Sequence, residues 1–186
     1  FSTMFRDKEY ILTKEGLLFN VLGYEHPPGR VACHLRYVEN EKRSDSYQQA
    51  VTFLLAKHPA YVDSGFISVA TEDIVECFRP DESLRGIFDN EHRSSVQSSA
   101  VELTEFLSKQ LLIPRESFGV TDSLCWGGAH DDSDVDLVVY DAANARKILD
   151  AEFRLFELPE LTLFPQSIFV TPHEPVMEDA EFAQLC

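Results

Sequence analysis

Residues 8–12 and 17–22 are apolar-rich, and the polar tetrad Thr13-Lys14-Glu15-Gly16 separates them. The pair reads as two strands joined by a turn in which Gly16 takes a positive φ. Gly23 and His26-Pro27-Pro28-Gly29 mark the next loop, and Arg30 to Val38 predicts a third strand. Asn40 to Ser46 is polar and charged and reads as a loop. From Tyr47 to Lys57 the period changes. Tyr47, Ala50, Val51, Leu54 and Leu55 recur at helical spacing, and Pro59 ends the helix. Phe66 to Ala70 predicts a short strand. Thr71, followed by Glu72 and Asp73, has the pattern of an N-cap and an acidic first turn, which predicts a helix stopping near Pro80. A further short helix is expected from Asp81 to Phe88.

The polar stretch Glu91 to Ser95 divides an N-terminal α+β region, residues 1–92, from a second region, residues 93–186. Val96 to Leu112 predicts a long amphipathic helix with Val96, Ala100, Leu103, Leu107 and Leu111 as its apolar stripe, closed by Pro114. Ser117 to Thr121 reads as a strand, Asp122 to Gly128 as a tight turn opening a helix, and Ala129 to Ser133 as an acidic loop. Asp134 to Tyr140 is a strongly apolar strand headed by two aspartates. Ala142 to Asp150 predicts a helix, and Phe153 to Leu158 and Ser167 to Thr171 predict further strands. This succession argues an α/β (α+β) architecture, a mixed sheet with helices packed on it.

Composition narrows the function classes. A chain of 186 residues, 44% hydrophobic and with 14 Phe, buries a real core without staples. Sixteen basic residues against 32 acidic ones give a net charge of −16, which argues against an extended nucleic-acid-binding surface. A nucleotide substrate remains compatible, because a local site and metal ions suffice to hold it. Cysteines at 33, 77, 125 and 186 form neither a zinc pattern nor a disulfide framework, so a reduced, cytoplasmic setting is expected. No apolar run approaches the length of a membrane span, no signal peptide is visible, and a membrane partner is not expected.

The chemistry concentrates in one segment. Strand residues two apart share a face, so Asp134 and Asp136 project together while Val135 and Leu137 face the other way. Two carboxylates side by side repel unless a cation sits between them. Mg²⁺ (or Mn²⁺) takes one or two protein carboxylates and completes its shell with water and substrate phosphates, as nucleotidyl transfer requires. The turn at Asp122-Ser123 lies between a strand and a helix start, where N–H groups and the Ser123 hydroxyl offer donors to phosphates. The bland alternatives are a solvated strand end, with Asp132 and Asp134 as an overlapping pair, and core packing for Trp126 and Cys125. His130, Arg146 and Lys147 read as surface charge.

Ser123, a spacer, then Ser133-Asp134-Val135-Asp136 resembles the signature of the DNA polymerase beta-like nucleotidyltransferase superfamily, a serine followed at this distance by Asp-x-Asp on a strand. The run Thr121-Asp122-Ser123-Leu124-Cys125-Trp126-Gly127-Gly128 is similar to the archaeal predicted nucleotidyltransferases. So are Arg6-Asp7, Thr13-Lys14-Glu15-Gly16, Gly23-Tyr24-Glu25-His26-Pro27-Pro28 and Leu35-Arg36-Tyr37-Val38. The likeness covers roughly residues 6–150. It implies a nucleotidyltransferase core that transfers a nucleoside monophosphate from a nucleoside triphosphate to an acceptor, whether small molecule, protein or RNA. On it, Asp134 and Asp136 are catalytic and bind the metal, and Asp122 and Ser123 bind the nucleotide.

Two departures stand out. Asp122 occupies the family's glycine position and sets a carboxylate where phosphate approaches; like charges 4 Å apart cost about 1 kcal/mol in water and about 4 at an effective dielectric of 20. Alternatively, Asp122 points away or binds a metal. The superfamily's third carboxylate, the acceptor's base, has Glu157 as its candidate, on one strand face with Phe153 and Leu155, and Glu160 as its rival. A degenerate module that binds a nucleotide or a protein without catalysis is the alternative function, and a purely structural protein a third.

Overall fold

The first two apolar runs form β1 (Tyr10–Thr13) and β2 (Leu17–Val21), antiparallel about a turn in which Gly16 has φ +74°. The structure is a computed structural model that describes residues 5–43 and 46–155, with side chains through Ala151. The third run forms β3 (Arg30–Val38), in which Val31, Cys33, Leu35 and Tyr37 are buried and the alternate residues half-buried. Part of the expected Asn40–Ser46 loop is instead a strand, β4 (Glu41–Lys42), which folds back on β3. Glu39 and Asn40, both at positive φ, supply the two-residue turn that such a hairpin needs.

Helix α1 (Tyr47–Lys57) starts at Ser46 in a capping box with Gln49. After a 3₁₀ turn at Pro59–Tyr61 come β5 (Val62–Asp63) and β6 (Phe66–Ala70). The helix expected from Thr71 to Pro80 is not there. Thr71–Asp73 makes one 3₁₀ turn and β7 (Ile74–Phe78) follows, paired to β1. Glu72 and Asp73 do fall in the first turn of that 3₁₀ helix, but Ala70 and not Thr71 is its N-cap, and no side chain caps it. The β-branched pair Ile74-Val75 and the open edge of β1 favour a ladder, which buries Ile74 and Cys77 against one core and Phe78 against another.

These strands make a seven-stranded sheet in the order β5-β6-β3-β2-β1-β7, with β4 beside β3. Every pairing among the described residues is antiparallel, so the expected mixed sheet is corrected. Short turns force the antiparallel returns of β1–β2, β3–β4 and β5–β6, and the longer connections of β3–β6, β1–β7 and β8–β9 return antiparallel as well. One face packs Ile11, Phe19, Val31 and Leu35 on Ala50, Val51 and Leu54 of α1. The other packs Tyr10, Leu18 and Tyr37 on Cys125 and Trp126. Strand β2, covered on both faces, is buried throughout.

Helix α2 (Pro80–Asp89) begins with Pro at its first position, and α3 (Ser95–Leu111) begins at Ser94 in a capping box with Gln97. The buried side of α3 is Val96, Ala100, Val101 and Thr104, shifted from the expected stripe after its first turn. Strand β8 (Phe118–Val120) runs against the start of α2. A Cβ on Gly119 would lie 2.7 Å from Pro80, so glycine is required there. A four-residue helix α4 (Ser123–Trp126) and β9 (Leu137–Val139), antiparallel to β8, follow.

Helix α5 (Ala142–Leu155) replaces both the shorter helix and the first residues of the strand expected at 153–158. Ile148, Ala151 and Leu155 sit at helical spacing and let the helix run on. That removes the strand-face argument for Glu157. Glu157, Glu160 and the Ser167–Thr171 segment lie outside the described residues.

The chain divides into two compact units, residues 1–144 and 145–186, and the boundary expected at 92/93 falls inside the first, between α2 and α3. The architecture is α+β. Among the described residues no helix is long and apolar enough to cross a membrane.

Candidate functional site

The β8–β9 ladder sets the site. Its register pairs Val120 with Leu137, and one further bond, Thr121 N–H to Asp136 O at 2.9 Å, carries the pairing past the strands' ends. Asp136 therefore stands beside the Thr121-Asp122 turn. The expected strand from Asp134 to Tyr140 is shorter in fact, Leu137–Val139, with Asp134 and Asp136 in the segment that leads into it, both exposed. Tyr140 closes the other end through its N–H to Ser117 O at 2.7 Å, and its ring lies 5.0 Å under the Arg6 guanidinium.

Asp122 has φ +50° and ψ −135°, a conformation that suits glycine and costs other residues about 1–3 kcal/mol. Four donors hold it there. Tyr10 Oη at 2.9 Å and Tyr37 Oη at 3.1 Å donate to Oδ1, while Arg36 Nη2 and Lys42 Nζ, each at 3.3 Å, donate to Oδ2. Two acceptor sites per oxygen are thereby filled. Burial pushes the Asp122 carboxyl up, but the Tyr10 hydrogen bond, the charges of Arg36 and Lys42 and the Tyr37 hydrogen bond outweigh it and leave it below the usual carboxylate range. The phenols move the other way. Burial, then the Asp122 charge, raises Tyr10 well beyond the phenol range and Tyr37 to about 12, so both stay protonated donors.

A bulge makes this arrangement possible. Leu18 pairs with Tyr37 and Phe19 with Leu35, so Arg36 is an extra residue in β3. Without it, strict alternation would turn Tyr37 toward α1 with Leu35; with it, Tyr37 joins Tyr10 and Leu18 on the Asp122 side. The Tyr37 ring packs edge-on against Trp126, centroids 4.8 Å apart, so Trp126 and Cys125 are core, as their composition suggested. His130 is exposed.

Asp136 answers oppositely to Asp122. Partial desolvation of its carboxyl, then the charges of Asp122 and Asp134, hold it above the usual carboxylate range. The charges of Lys42 and Arg36 act on Asp136 in the opposite sense. Asp122 has no acceptor site left for a metal, whereas among the described residues no protein donor bonds the carboxylates of Asp134 and Asp136. Among the described residues no set of three His, Cys, Asp or Glu side chains converges on one point. A two-carboxylate donor set suits Mg²⁺, which fills its shell with water and phosphate oxygens, rather than an ion caged by protein alone. Ser123 is half-buried at the first position of α4, where its carbonyl accepts from Gly128 N–H at 2.9 Å.

Sequence reasoning missed Tyr10, Arg36, Tyr37 and Lys42 as parts of this site. No break in the pattern pointed to them, because Arg36 falls at a half-buried position that keeps the alternation of β3. It missed a second charged cluster as well. Glu9 is fully buried, bonded by Arg6 Nε at 2.8 Å, and Arg6 reaches on to Asp81 at 2.7 Å, tying β1 to α2 beneath Tyr140. Comparison of the chain with models of known protein families, with curated proteins and with solved structures finds no match.

Proposed function

We propose that this chain is a nucleotidyltransferase that moves a nucleoside monophosphate from a nucleoside triphosphate to an acceptor hydroxyl or amine. The observation that carries the reading is Asp136. It is exposed beside the Thr121-Asp122 turn, where its carbonyl accepts from Thr121 N–H at 2.9 Å, it lies two residues from the exposed Asp134, and the charges of Asp122 and Asp134 raise its carboxyl, an arrangement that favours a cation. Asp134 and Asp136 would hold Mg²⁺, which when bound neutralises charge on the triphosphate. The chain's own residues do the rest. Asp122, saturated by four donors, fixes the turn that carries Ser123 and keeps Arg36 and Lys42 at the edge. The acceptor oxygen or nitrogen bonds to the α-phosphorus, the bond from that phosphorus to the β-phosphate oxygen breaks, and pyrophosphate leaves. The acceptor's proton passes to a base, for which Glu157 is proposed.

A second reading is a module that binds the triphosphate without transferring it. Its support is that Asp122, whose charge acts on Asp136, is filled by protein donors and cannot serve as the base. Pyrophosphate release separates the two readings. A transferase releases it from one of the four ribonucleoside triphosphates with Mg²⁺ and an accepted acceptor; Asp136→Asn abolishes release, and Glu157→Gln lowers the rate while sparing triphosphate binding. Binding abolished by Asp136→Asn, with no release from any acceptor class, favours the second reading. If Asp136→Asn leaves binding intact, both are wrong.

A further inference from the structure

We infer that Lys42 is a phosphate-binding residue, released from Asp122 to the phosphate chain of the incoming triphosphate. The inference rests on the nucleotide reading of the Asp134–Asp136 edge and adds a ligand that the sequence reading did not contain. Of the four donors on Asp122, three are fixed by the fold. Tyr10 and Tyr37 are buried at 3% and 4% exposure, and Arg36 is locked into the β3 bulge. Lys42 is different. It ends a two-residue strand on a hairpin turned by Glu39 and Asn40, and its side chain is 54% exposed.

Its ammonium meets Asp122 Oδ2 at 3.3 Å, next to Thr121, whose N–H is bonded to Asp136 O at 2.9 Å, so it stands at the turn beside Asp136. An ion pair this exposed contributes little, so breaking it costs little. If Lys42 leaves, Asp122 keeps three donors and the turn keeps its shape. The charge balance asks for such a residue. Asp134 and Asp136 are both exposed acids, and a polyanion entering beside them needs positive charge beyond the metal. A lysine on a flexible stem is a compact, rotatable donor suited to phosphate oxygens, whereas Arg36 is held in the β3 bulge.

The test titrates the full chain calorimetrically with Mg²⁺ and inorganic tripolyphosphate, and with Mg²⁺ and each of ATP, GTP, CTP and UTP. Parent, Lys42→Met, Lys42→Arg and Asp136→Asn are compared. The expected result is that Lys42→Met melts close to the parent yet binds tripolyphosphate and the preferred nucleotide about ten- to a hundredfold more weakly. Lys42→Arg should recover part of that loss, and the salt dependence of binding should be shallower in Lys42→Met. If Lys42→Met binds as the parent does while Asp136→Asn weakens binding, the Lys42 assignment is wrong and the nucleotide reading stands. If the parent binds none of the five polyphosphates, both fall together.

Discussion

Replacing Asp122 with glycine tests whether the carboxylate is an anchor. The substitution would leave the Tyr10 and Tyr37 hydroxyls without their acceptor. Both belong to buried residues, and an unsatisfied buried hydroxyl costs about 1–3 kcal/mol. Arg36 and Lys42 are partly exposed, so screening reduces their shared loss to about 1 kcal/mol. Glycine returns about 1–3 kcal/mol because it adopts φ +50°, ψ −135° freely. The balance is a loss of about 3 kcal/mol, and Asp122→Ala, which keeps the backbone strain, should lose about 1–3 kcal/mol more. Urea unfolding reads this as a fall in the midpoint at an unchanged slope. The pH dependence adds a sign. The folded-state value of Asp122 is depressed, so its contribution is complete above the unfolded carboxyl value and disappears as pH falls through the folded one. The gap between parent and Asp122→Gly should therefore narrow in acid. A glycine variant as stable as the parent at neutral pH, or a gap that widens in acid, would refute the anchor.

Three further outcomes follow from the same geometry. Asp136→Asn should raise stability slightly at neutral pH, because the folded state holds that carboxyl above its usual range; the gain should vanish as pH falls through the raised value and the parent's carboxyl protonates, as paired melts across pH will show. Gly119→Ala should cost about 1–3 kcal/mol in chemical denaturation, because its Cβ would meet Pro80 backbone at 2.7 Å and backbone yields poorly; a neutral result would mean that α2 shifts freely against β8. Tyr37→Phe and Asp122→Ala should couple by about 1 kcal/mol or more in a double-mutant cycle, and additive effects would show that their 3.1 Å hydrogen bond carries no energy.

Much of the fold was legible because periodicity reports burial. The first three strands, α1 and α3 follow from where apolar residues recur, and the capping boxes at Ser46 and Ser94 confirm local chemistry visible in the sequence. Where the reading failed, a short local signal met a non-local one. Thr71-Glu72-Asp73 has the chemistry of a helix start, but Ile74-Val75 found the free edge of β1. The turn at Glu39-Asn40 has no glycine, so the β3–β4 hairpin was hidden. For the site, the strand-face argument that paired Asp134 with Asp136 does not hold, because both precede β9, and the partners of Asp122 were not foreseen. Its charge was expected to crowd phosphate, and instead it points to the sheet. Its partners come from positions 10, 36, 37 and 42, and two of them reach it only because one extra residue in β3 inverts the alternation. A register shift of that kind leaves no mark in composition or period.

The central claim is that Asp134 and Asp136 hold a metal-bound triphosphate, and thermal unfolding tests it most directly. The full chain is melted with each ribonucleoside triphosphate, with and without Mg²⁺, beside Asp136→Asn. A ligand at a hundred times its dissociation constant adds about 2.7 kcal/mol of stability. The expected result is a higher melting temperature for the parent with at least one triphosphate, only when Mg²⁺ is present, and no such rise in Asp136→Asn. An equal rise in both proteins, or none in the parent with any of the four, would contradict the account.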